Sequence, residues 1–235
     1  MSAERVRELR GEGRWAEALG LVDDPLARAD LLNERALFAG DAEARAEAAR
    51  ELDRAEARLA LERGRIVHAR FLAERGAEDP RELELFERAL ELFRLTGDRA
   101  GEGEALFWIG LVHQVVRGDS GAAEPFFGDS YELAREHGDA KLMSYAARHL
   151  GFVDYDAGRL DEAESRLRES VELREREGFW PGVAAGLVSL AEVAAERGRR
   201  AEAKEHLARA RELAERTGAH AFLRRVEAAG AEHDL

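Results

Sequence analysis

The chain contains no cysteine, so neither a disulfide nor a thiolate nucleophile belongs to its chemistry. Proline is scarce, four in 235 residues, which leaves long stretches free of the residue that most reliably stops a helix. Lysine is rarer still: Lys141 and Lys204 are the two present, and the other basic side chains are arginine. No run of consecutive basic residues offsets the formal net charge of -13, so the chain repels nucleic-acid phosphates overall. No apolar run approaches the roughly 18 residues of a membrane span. The opening Met1-Ser2-Ala3-Glu4-Arg5 is charged at once and has no apolar core behind it, so it does not read as a secretory leader. The closing Glu232-His233-Asp234-Leu235 has the wrong order for an ER-retention tail. These absences set the expectation of a cytoplasmic, acidic protein with no membrane and no nucleic-acid partner.

What is present is repetition. Gly118, Gly158 and Gly198 stand 40 residues apart, and so do Ala123, Ala163 and Ala203. The same step carries Phe127, Leu167 and Leu207, then Leu133, Leu173 and Leu213, then Gly138, Gly178 and Gly218. A fixed period of this size means stacked copies of one supersecondary unit. Within a copy, Ala105, Leu106, Ile109, Val112 and Val116 follow helical spacing. Gly118 then ends that helix in the left-handed conformation. Asp119 or Ser120 caps the next helix, and Asp161 is the expected cap one repeat later. Each copy is therefore a pair of antiparallel helices.

The pattern fades upstream. Phe86, Ala89, Leu92 and Gly97 match Phe127, Ser130, Leu133 and Gly138 at a step of 41, which predicts an earlier second helix entered through Asp79-Pro80. Its partner helix is expected over about 58–74. The fold class is all-α, an α-solenoid of about 11–13 helices. The expected organisation is irregular N-terminal helices over 1–57, repeats over 58–97, 98–138, 139–178 and 179–218, and a C-terminal capping helix with its tail over 219–235.

These units resemble the tetratricopeptide repeat, whose pattern is a large residue, Leu-Gly, an aromatic, then Ala and a bulky residue four later. Leu106, Ile109, Gly110 and His113 stand in the first four places of one copy, with Ala123 and Phe127 in its second helix. Ala147, Leu150, Gly151 and Asp154 follow, with Ala163 and Leu167, and then Leu187, Leu190, Ala191 and Ala194, with Ala203 and Leu207. The period is longer than that family's usual 34. The aromatic place holds His, Asp and Ala. The longer copy is similar to stand-alone repeat proteins of actinobacteria and to sensor regions of bacterial regulators. The resemblance implies a right-handed superhelix and a non-catalytic scaffold that binds a peptide, a protein segment or a small acidic effector in its concave groove.

The family's groove positions carry over to Phe107 and Gln114 in one copy, Tyr145, Arg148, Phe152 and Tyr155 in the next, and Glu192 in the last. Arg148 among three aromatic rings is the most ligand-like cluster, because rings bury large area with few rotors and a guanidinium grips a carboxylate with two parallel bonds. Two other readings stay open. An enzyme or small-ligand pocket can be built around His113, Gln114, Arg148 and His149 on adjacent first helices. A structural module that self-assembles into a homo-oligomer is the third. No His-Glu-x-x-His signature occurs, and Gly101-x-Gly103 lacks its third glycine, so neither a metal nor a nucleotide cofactor is implied.

Overall fold

Every apolar stretch at helical spacing is a helix in the computed structural model, which describes residues 3–233 apart from the side chain of Ala221. Met1-Ser2 and Asp234-Leu235, on which the leader and retention-tail readings partly rest, lie outside the described residues. The helices are α1 (Ala3–Gly11), α2 (Trp15–Leu19), α3 (Pro25–Phe38), α4 (Ala42–Glu74), α5 (Arg81–Thr96), α6 (Arg99–Leu111), α7 (Ser120–His137), α8 (Ala140–Asp156), α9 (Leu160–Arg176), α10 (Trp180–Glu196), α11 (Arg200–Thr217) and α12 (His220–Glu232). A π-helical segment, Val112–Val116, continues α6. Twelve α-helices with no strand among the described residues fulfil the all-α expectation.

The chain divides into one unit that ends at Ala105 and another that begins at Leu106. In the first, α1 to α5 pack each on the next. Leu9, Leu31, Leu32 and Ala44 gather in a core between α1, α3 and α4. Further along α4, His68 Nδ1 and Glu82 Oε1 meet at 2.7 Å in the interior. The helix expected to begin near residue 58 begins instead at Ala42, where Asp41 accepts the backbone N–H groups of Glu43 and Ala44. No glycine or proline interrupts 42–63, and nothing there stops a helix once the cap has started it.

In the second unit α7 to α12 also pack in sequence order. Asp119 and Asp139 cap α7 and α8 through the backbone N–H groups of Ala122 and Leu142. Asp161 does not cap α9. That helix starts at Leu160, so Asp161 lies in the first turn, where its charge meets the positive end of the helix dipole. Gly158 and Gly198 leave their helices at φ +73, a conformation that costs a side-chain-bearing residue about 1 kcal/mol. Ala163, Leu167, Leu187, Ala203 and Leu207 fill the interior between the pairs. Each fully buried leucine there contributes about 1.5–3 kcal/mol of transfer free energy.

Small residues set the distance between paired helices. A Cβ on Gly110 would stand 2.6 Å from a ring carbon of Phe127, and one on Gly151 would stand 2.9 Å from Leu167 Cγ. The missing aromatic of each copy is replaced differently. His113 stacks on Phe126 with ring centroids 5.2 Å apart. Asp154 is buried and takes Arg159 and Arg166 at 2.7 and 2.8 Å. Ala194 packs into the core. Successive copies are also tied through their second helices and the residue before α11: Tyr131 Oη donates to Glu169 at 2.5 Å, Arg199 Nη2 meets Glu164 at 2.6 Å and Arg209 Nη2 meets Glu175 at 2.5 Å.

Candidate functional site

Residues three and four apart share a helix face, so Tyr145, Arg148, Phe152 and Tyr155 form one stripe along α8. All four are partly buried. The neighbouring first helices, α10 and α12, supply the rest of the surface. Arg148 Nη2 donates to Ser189 Oγ on α10 at 3.4 Å. Glu192 on α10 lies 3.9 Å from Arg225 on α12. Burial first, then the charges of Glu196 and Glu192, raises the Tyr155 hydroxyl above the usual tyrosine range. Five of the residues read from the sequence therefore stand together: Tyr145, Arg148, Phe152, Tyr155 and Glu192.

Phe107 and Gln114 are not part of that stripe. Phe107 is 5% exposed and meets the rings of Trp108, Phe127, Tyr145 and His149 at 5.5–5.8 Å, so it belongs to the core and not to the face. Gln114 and His149 are bonded to each other. His149 Nδ1 donates to Gln114 Oε1 at 2.6 Å, and Gln114 Nε2 donates to the His149 carbonyl at 3.1 Å. His149 also stacks on Phe127 at 5.2 Å, while His113 lies against Phe126. Each imidazole is occupied by contacts within the helix layers. Among the described residues no group of three or more His, Asp or Glu side chains is placed to hold a metal ion.

Arg148 is charged in an unusual setting. Its guanidinium carbon sits 4.4 Å from the centroid of Phe152. Its Nε is buried and has no hydrogen-bond acceptor. Burial first, then repulsion by Arg174 and Arg225, brings its pKa down to about 9, against a weaker pull from Glu192. The cost of removing a guanidinium from water is the physical content of that shift. Glu192 is shifted the other way: burial raises it, and Arg225 and Arg148 oppose the rise.

Arg174, on α9, is the residue that the sequence reading missed. It is 3% exposed, with Nη1 donating to the Gly182 carbonyl at 2.8 Å and Nε to Ser144 Oγ at 3.3 Å. Its guanidinium carbon lies 5.0 Å from the Tyr145 ring centroid, and burial lowers its pKa to about 10. The period held the signal. One repeat before and one after, the same position is Ala134 and Ala214, both buried. Gly182 packs against both Phe179 and Arg174, since a Cβ there would stand 2.4 Å from Phe179 Cδ1 and 2.9 Å from Arg174 Cδ.

Residues 142–216 match the family model described as tetratricopeptide repeat. Over these residues the chain is similar to tetratricopeptide repeats. The matched residues comprise α8 with α9 and α10 with α11, so the face described above lies on the first helices of the repeats and of the α12 that follows. No match is found among curated proteins. Solved structures share the fold. Aspartyl phosphate phosphatase F from Bacillus subtilis aligns over 89% of this chain and 56% of its own, at TM-score 0.63 and 12% identity. A Rap protein complexed with competence and sporulation factor aligns over 94% of this chain and 53% of its own, at TM-score 0.57 and 15% identity. The chain thus spans little more than half the length of either. No described helix is long and apolar enough to cross a membrane.

Proposed function

We propose that the chain is a non-catalytic binding module whose repeats hold a peptide or protein segment across the face of α8, α10 and α12. The observation that carries this reading is the stripe of Tyr145, Arg148, Phe152 and Tyr155 beside Ser189 and Glu192. It combines rings, a fixed cation and an acid on packed helices. Rigid aromatic side chains give large contact area at little entropic cost. A Rap protein of similar fold complexed with competence and sporulation factor supports a partner-binding role. A small acidic effector would use the same residues. A catalytic pocket at His113 and His149 finds no support in this geometry, because their rings pack against neighbours.

The test is affinity selection of random dodecapeptides on the purified chain. The double variant Phe152→Ala/Tyr155→Ala is expected to weaken the selected peptides at least about tenfold. Its melting temperature is expected to stay within a few degrees of the parent. Undiminished binding by the double variant would remove this face from consideration.

A further inference from the structure

We propose that α4 carries a docking face for a second copy of this chain. The face is formed by Leu52, Leu59 and Ile66 and is closed by two-fold pairing of α4 against α4. It uses no residue of the α8 stripe, so the inference stands independently of the peptide-binding reading.

The argument begins with register. A Cβ on Gly64 of α4 would stand 2.5 Å from a ring carbon of Phe86, just as one on Gly110 would stand 2.6 Å from Phe127. Gly64 therefore holds the close-approach place that Gly110, Gly151 and Ala191 hold in the later copies. Two residues after that place stand Val112, Val153 and Val193, and five before it stand Ala105, Ala146 and Gly186. All six are buried. Ala146 and Val153 gather with Ala123 and Phe127 of the preceding copy's second helix, and Val193 gathers with Ala163 and Leu167. The same two places on α4 hold Ile66 and Leu59, larger apolar side chains that are 62% and 50% exposed. Leu52, one heptad before Leu59, is exposed as well. Helix α3 packs on α4 at Ala44 and Ala48 and reaches Glu51 through Arg28 at 2.8 Å, all before this stretch. So α4 keeps the face on which repeats stack, enlarges its apolar side chains and leaves it open to water, where such a stripe is costly.

The occupant follows from the symmetry of the stripe. Leu52, Leu59 and Ile66 are seven residues apart, so they run along one line of the helix with a drift of about 20° per step. Two copies of α4 set antiparallel about a two-fold axis at Leu59 place Leu59 on Leu59, and Leu52 on Ile66 of the other copy. Such an isologous interface uses the same patch twice. Glu56 and Arg63 flank one side of the line, three residues before the axis and four after it. The pairing therefore sets each Arg63 at the level of the other copy's Glu56. On the opposite flank the same operation sets Ala55 beside Glu62, so no like charges meet. Arg63 is exposed and has no ion pair among the described residues, and Glu56 is half-exposed beside Arg88 at 2.8 Å. An unrelated segment would have to supply both the apolar spacing and the reversed charges, whereas a second copy supplies both by symmetry. Three apolar layers on one helix lie at the small end of specific interfaces, so dimerisation is expected at about 10 µM.

Sedimentation equilibrium of the full chain over about 1–300 µM is expected to show monomer passing to dimer. Leu59→Glu sets two like charges on the axis and is expected to weaken the dimer at least about 100-fold. The position is half-exposed and glutamate is a good helix former, so the circular-dichroism melt is expected to hold. Arg63→Glu is expected to weaken the dimer less, and the swap Glu56→Arg/Arg63→Glu to restore it. The chain has no cysteine, so Leu59→Cys adds a single thiol that meets its own copy across the axis. Diamide, as the oxidant, is expected to join those two thiols in a covalent dimer. It is not expected to join Arg70→Cys, an exposed position eleven residues from the axis. A monomer at every concentration, a dimer undiminished in Leu59→Glu, a swap no tighter than Arg63→Glu alone, or equal cross-linking through Arg70→Cys would overturn the pairing.

Discussion

Arg148 and Arg174 carry most of what is distinctive here at the scale of single residues. A side chain kept charged, poorly bonded and largely out of water lowers the stability of the free protein. Arg148→Met keeps the packing against Phe152 and removes the charge. It is expected to raise the unfolding free energy by ~1–2 kcal/mol, read as a higher urea midpoint. A lower midpoint would mean that the guanidinium is well compensated. Such a gain paired with lost binding is the usual trade between stability and function. The two arginines differ in legibility. Arg148 was readable because it is the one cation in a ring-bearing stripe on a first helix. Arg174 sits in a charge-rich stretch of α9, Glu172-Leu173-Arg174-Glu175-Arg176, which reads as a solvated face. Phe107 failed in the opposite sense. Family position places it on the face, yet its ring packs inward against Phe127, and rotamer choice is not written in a period.

Helix pairs are held at their spacing by what the first helix omits. Gly110 lets Phe127 lie against the backbone, and the same place is Ala191 opposite Leu207 two repeats on. Gly110→Ala is expected to cost ~1–3 kcal/mol through overpacking. Adding Phe127→Leu, which copies the Ala191–Leu207 pairing, is expected to recover part of that loss in thermal melts. A single variant as stable as the parent would show that the Phe127 ring can yield. The elements themselves were largely legible: glycine exits, Asp119 as a cap and apolar spacing gave α7 to α12 closely. Two boundaries were not. The start of α4 depends on a lone Asp41 cap far upstream of the repeat. Asp161 looked like a cap because acids favour both the cap and the first turn, for related electrostatic reasons.

For the whole molecule, the period fixed what the net charge and composition left open. A charge of -13 excludes little beyond polyanions, whereas forty-residue repetition specified stacked helix pairs. It did not specify a ligand, because the positions that choose one are those where the copies differ: Arg174 against two alanines, Tyr145 and Tyr155 without counterparts. The tie between Arg199 and Glu164 joins one copy to the next, and Arg159 stands one period before Arg199. An extra copy of residues 159–198 spliced in after Gly198 therefore presents its own arginine to Glu164 and its own glutamate to Arg199. The lengthened chain is expected to gain helical circular dichroism in proportion to its added residues and to melt no lower than the parent. A markedly lower melt would show that the copies are not interchangeable at their junctions. If they are, duplication of one module within the gene is enough to lengthen such a molecule, with no new interface to invent.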